Sequence, residues 1–86
     1  MDFDTIAVSS TVISLNADKR MARKAFLSLE TAQIRFRHDG GDPTATVGHL
    51  MNVGDILNLE GLSLQKFRAI RTGSTDGLLT VTFEGT

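Results

Sequence analysis

One stretch constrains the fold more than any other. Ala32, Ile34 and Phe36 alternate with Gln33, Arg35 and Arg37, and the run stops at Asp39-Gly40-Gly41-Asp42-Pro43. In an extended chain successive side chains point to opposite faces. One face here is apolar and the other carries guanidinium groups, as in a strand with one side on a core and the other in water. The segment that follows combines Gly, Asp and the chain's single proline, and it reads as a turn.

The same period recurs along the chain. Leu79, Val81 and Phe83 alternate with Thr80, Thr82 and Glu84; Leu57 and Leu59 point inward from the run 56–60, which Gly61 ends. Ala25, Leu27 and Leu29 alternate with Lys24, Ser28 and Glu30, broken only by Phe26, so a strand is expected from Lys24 to Thr31 after a basic loop at 18–23. Phe67 and Ala69 share a face, opposite Lys66, Arg68 and Ile70. Residues 44–51 suit either a short strand or a helical turn, and Leu62 to Gln65 reads as a connector. Turns are expected at 16–18, at 52–55 and at 73–77, where Asp76-Gly77 suits a hairpin.

Residues 6–15 are rich in Val, Ile, Thr and Ser, which favour a pleated surface. Ile6, Val8 and Val12 share one parity, whereas Ile13 and Leu15 share the other. A bulge, or a strand that changes partners, accounts for such a switch. The total is about seven short strands with turns every ~8–12 residues, an all-β pattern that fits a small β-sandwich or a partly open barrel. Residues 1–17 read as an N-terminal strand or as an arm that pairs with a neighbouring subunit, and residues 18–86 as a single β domain.

Composition narrows the function classes. A chain of 86 residues forms one domain with a thin stability margin, and with no Cys it has neither disulfides nor thiolate metal sites. Oligomerisation is the remaining staple. A hydrophobic content of 41% argues against disorder, and a net charge of −1 gives no general attraction to nucleic acid or anionic membrane. No run of ~18 apolar residues is present, and the start Met1-Asp2-Phe3-Asp4 is acidic, which argues against a membrane span and a secretory signal.

Catalytic constellations are weak. No Gly-x-Ser-x-Gly elbow occurs, and His38 and His49 read as polar strand-end or loop residues. Asp39 and Asp42 flank glycines and read as turn formers, without the spacing of a Ca²⁺ loop or the lysine of a phosphate loop. The expectation is a non-enzyme with no cofactor and no metal. Nucleic acid is the main rival, because Lys19, Arg20, Arg23 and Lys24, then Arg35 and Arg37, then Lys66, Arg68 and Arg71 cluster positive charge. Without Trp or Tyr, and with Phe36, Phe67 and Phe83 on core parity, stacking platforms are lacking. Arg is enriched at protein interfaces, so a protein partner is the better use of these side chains.

The run AQIRFRHDGGDPTATVG at 32–48, the Gly54-Asp55 turn and FRAIR at 67–71 resemble small β-structured proteins of tailed phages and prophages. Those pair an I-R-[FW]-R-x-D-G strand end with P-T-A-T-x-G, and the resemblance covers roughly residues 24–84. It implies a virion accessory protein: a capsid decoration (cement) protein bound to the major capsid protein, or else a head-fibre or tail component. It implies no catalytic residues. A homotrimer on the capsid surface, made in the bacterial cytoplasm, is the expected form, and lack of Cys suits that reducing compartment. Arg35, Arg37, Lys66 and Arg68, the Asp39–Asp42 turn, and Ile6, Val8 and Val12 of the N-terminal segment are the expected contact residues.

Overall fold

A computed structural model of the chain describes residues 2–15 and 22–85. The turn expected at 16–18 and the cations Lys19 and Arg20 lie outside the described residues. The described residues form eight strands and one short helix: β1 (Asp2–Val8), β2 (Ile13–Ser14), β3 (Lys24–Glu30), β4 (Ile34–Arg37), β5 (His49–Met51), β6 (Ile56–Glu60), α1 (Leu62–Lys66), β7 (Arg68–Arg71) and β8 (Gly77–Glu84). They make two antiparallel four-stranded sheets, ordered β1-β8-β3-β6 and β2-β7-β4-β5. The result is an open sandwich, not a closed barrel.

Burial follows the alternation in the sequence. Along β8, Leu79, Val81 and Phe83 are buried, and along β3, Ala25, Leu27 and Leu29. The second sheet contributes Ile34, Phe36, Met51 and Ala69, and Val8, Leu15, Leu59, Leu64 and Phe67 complete one continuous core. Fully burying a Leu, Val or Phe stabilises by about 1.5–3 kcal/mol, so this interior is the main source of stability. The segment 62–65, read from sequence as a connector, forms the helix α1, whose Leu64 drops into the core. Of the ambiguous stretch 44–51, only His49–Met51 is strand.

The parity switch between Val8 and Ile13 marks a change of sheet. β1 ends in the first sheet, residues 9–12 cross over, and β2 joins the second by pairing Ile13 with Ala69. The N-terminal strand therefore lies in the chain's own sheet, aligned with β8 from Asp2↔Phe83 to Val8↔Gly77. Crossing is the rule in this fold: of the consecutive strand pairs, only β4 and β5 are paired in one sheet.

That topology corrects the hairpin expected at 73–77. β7 and β8 belong to different sheets, and the segment between them is a crossover clipped by an ion pair of 2.6 Å between Arg71 and Asp76. Gly77 is needed for close approach instead of turn geometry. A Cβ there would lie 2.6 Å from Ile34 Cγ2 and 2.8 Å from the Ala32 carbonyl oxygen. The crossover from β3 to β4 is a γ-turn closed by Ala32 N–H donating to the Glu30 carbonyl at 3.0 Å, with Thr31 at φ 80°.

Candidate protein-docking site

The motif at 32–48 builds the one hairpin in which sequence neighbours pair, and its loop folds back over the outer face of β4. Alternation puts Ile34 and Phe36 inward, so Arg35 and Arg37 face outward. Register places Arg35 opposite Leu50 of β5 and opposite Ile70 of β7, and Arg37 opposite Arg68. Arg35, Arg37 and Arg68 thus share one face of the sheet, whereas Lys66 ends the helix α1.

The charges of these arginines are turned inward on the chain itself. Arg35 donates from Nε to the Ala45 carbonyl at 3.2 Å and from Nη1 to the Gly48 carbonyl at 2.9 Å. Arg37 makes a two-pronged contact with Asp39, at 3.1 Å from Nε and 2.6 Å from Nη2. Arg68 donates to Asp42 at 2.7 Å. The rigid guanidinium fork suits such paired acceptors. Lys66 is exposed, and its aliphatic stem lies beside Gly40, where a Cβ would be 3.8 Å from Lys66 Cδ. The 39–42 turn, expected to shape an external interface, carries the counter-charges of its own sheet.

Electrostatics follow this arrangement. The Arg37 guanidinium and then the Gly41 N–H, 3.0 Å from Asp39 Oδ1, stabilise the Asp39 carboxylate and lower its pKa to about 2. The Asp39 contact raises the pKa of Arg37 in turn. A Cβ at Gly41 would stand 2.5 Å from Arg37 Cζ, so any larger residue there would make the guanidinium shift from this position.

The remainder of the loop is equally built. Pro43 is fully buried. Thr44 Oγ1 accepts the N–H of Thr46 at 3.3 Å and of Val47 at 3.0 Å, the pattern of a hydroxyl-closed turn. Gly48, at φ 134°, passes so close to β4 that a Cβ would meet the Phe36 carbonyl oxygen at 3.1 Å. Ile34 and Phe36 thus serve the core, and Arg35, Arg37, Asp39, Thr44 and Gly48 hold the loop in place.

Clamping the loop leaves an apolar edge exposed. Leu50 (44% exposed) lies on β5, an edge strand of its sheet, and Val47 (56%) and Val53 (56%) lie in the loop before it and the turn after it. The sequence does not point to them, because the apolar contacts expected from it lay in the N-terminal segment and nothing local shows that β5 lies at an edge. The N-terminal candidates fare differently. Val8 is fully buried, Ile6 packs against the core and Val12 is half-buried, so the segment contributes to the chain's own sandwich.

His38 and His49 approach each other on the opposite face of β4 from Arg37, with ring centroids 5.7 Å apart, and His49 lies 5.3 Å from Phe36. Both are exposed and cover the rim of the core at Phe36. Asp39 and Asp42 are held by arginines and do not join them. Among the described residues no group of three or more His, Cys, Asp or Glu is placed to hold a metal ion, and no helix is long and apolar enough to cross a membrane.

Comparison with models of protein families, with curated proteins and with solved structures gives no match.

Proposed function

We propose that this chain is a non-enzymatic accessory protein of a phage particle, a decoration protein that docks on the major capsid lattice through the β5 edge. The observation that carries this reading is the Arg35 clamp. By holding the carbonyls of Ala45 and Gly48, it fixes the loop that carries the exposed Val47 and leads into β5 with its exposed Leu50. Exposed apolar side chains on a preorganised edge lose little entropy on binding. The phage setting comes from the resemblance at 32–48, which is the segment forming the clamp. Repeated over a lattice, many weak contacts add through effective concentration.

The clamp also disfavours nucleic acid as partner, since Arg35, Arg37 and Arg68 already bind oxygens of the chain. Phosphate binding would have to displace them and would fall steeply with salt. Co-sedimentation with assembled capsid shells tests the proposal. The chain should pellet with shells and raise their melting temperature, and Leu50→Asp should remove both effects while leaving the fold intact. Failure of the wild-type chain to pellet with shells at any concentration would refute it.

A further inference from the structure

The outer face of the β1-β8-β3-β6 sheet lies on the side away from the core. Its rows follow from register. Phe3, Thr82, Phe26 and Asn58 lie side by side across the four strands, and Thr5, Thr80, Ser28 and Ile56 form the next row. Phe3 is 63% exposed, Phe26 43% and Ile56 60%. These two rows carry no charge. Charge is confined to the ends: Glu84, Lys24 and Glu60 at one, Glu30 at the other.

We infer that this face is covered by a second copy of the chain, related by a two-fold axis that runs parallel to the strands between β8 and β3. The argument is self-complementarity. β8 and β3 are the two central strands, and Lys24 of β3 stands between Glu84 of β8 and Glu60 of β6, whose carboxylate lies 4.0 Å away, so a second carboxylate can share its ammonium. Turning the sheet over about that axis lays β8 of one copy over β3 of the other. Lys24 of each copy then meets Glu84 of the other, so the same ion pair forms twice. Phe26 falls over Thr82 of the second copy and Ile56 over Thr5, which matches each large side chain with a smaller one. Two sheets packed face to face with strands inclined by ~30° or less give this arrangement directly.

A surface that pairs with itself is isologous and closes at two subunits, so this contact gives a dimer where a trimer was expected. Edge-on pairing through β1 is less suited, because Asp4 places a carboxylate on that edge strand, where it accepts the Thr5 N–H at 3.0 Å. Four strands ~4.8 Å apart, each offering about five residues at ~3.3 Å, give a footprint of roughly 300 Å² per copy, below the ~800 Å² per partner of a standard protein interface. The dimer is therefore a weak association whose specificity comes from the paired charges and the matched side chains.

Sedimentation velocity over a concentration series tests this with the chain alone. The wild type should pass from monomer to dimer as concentration rises. Lys24→Glu and Glu84→Lys should each raise the dissociation constant about tenfold or more. An equimolar mixture of these two variants should recover wild-type association, because in the mixed dimer both contacts again join opposite charges. Phe26→Asp should abolish the dimer with the circular-dichroism spectrum unchanged. A wild-type chain that stays monomeric at high concentration overturns the inference, as does a mixture no tighter than its components. Leu50→Asp, on the other sheet, should dimerise normally, so failure here is distinct from failure of capsid docking.

Discussion

Arg37 and Arg68 stand directly opposite each other on β4 and β7, two like charges on one face, and each is matched by its own aspartate from the loop that crosses them. Unmatched, such a pair would repel across the sheet. Asp39 and Asp42 remove that repulsion and at the same time moor the loop. All four side chains are substantially solvated, so the gain is one of position more than of stability.

Acid should release the Asp39 mooring in a defined window. The folded pKa of Asp39 is about 2, below its ordinary value of 3.8, so the folded state holds this carboxylate unprotonated more strongly than the unfolded chain does. The contribution is fully present above the ordinary value and is lost as pH falls through the folded one. An NMR titration of the folded chain should show the Gly41 amide shifting with a midpoint near pH 2. Asp39→Asn should abolish that shift, and a Gly41 amide that titrates unchanged in the variant would contradict the assignment.

Arg35→Ala should loosen the docking loop. It removes two charge-assisted hydrogen bonds, and a loss of about 1–2 kcal/mol in urea denaturation is expected. Hydrogen exchange at residues 44–48 should accelerate more than exchange in β8. Arg35→Lys should rescue little, since an ammonium cannot reproduce the fork that reaches Ala45 and Gly48 together.

Two glycines in the β7–β8 crossover should respond oppositely to alanine. Gly77→Ala drives a methyl into Ile34 and the Ala32 carbonyl, and should cost about 2 kcal/mol or more. At Gly73 nothing lies within 4 Å of an added Cβ and φ is not positive, so alanine should be neutral or stabilise by up to about 1 kcal/mol. Thermal unfolding of the two variants side by side checks this.

Thr31→Gly should stabilise the protein. A β-branched residue at φ 80° carries a steric penalty of about 1–2 kcal/mol, whereas glycine adds about 0.5–1 kcal/mol of chain entropy, for a net gain of up to about 1 kcal/mol. A lower melting temperature for the variant would show that the γ-turn at this position is unstrained.

Much of the sandwich is legible in the chain. Alternation at 24–30, 34–37 and 79–83 identifies inward residues correctly, because side-chain direction in a strand is a local property. The turn at Thr31 is not legible, since neither Gly nor Pro marks it. The Asp76-Gly77 signal misleads for a related reason: a glycine chosen for close packing against Ile34 looks the same in sequence as one chosen for a hairpin. The arginines were visible as an outward set, but their partners were not, because Arg68 and Asp42 are 26 residues apart.

By itself the sequence determined an all-β chain, the buried parity of its strands and the outward position of Arg35 and Arg37, since each depends only on near neighbours along the backbone. The tertiary structure alone decided which strands are edges, which cations are already engaged and that one face of the β1-β8-β3-β6 sheet is free of charge across its centre. Those properties depend on strands distant in sequence being brought side by side: β8 links the first strand to the third, and burial of the shared apolar interior, not any local signal, selects that order.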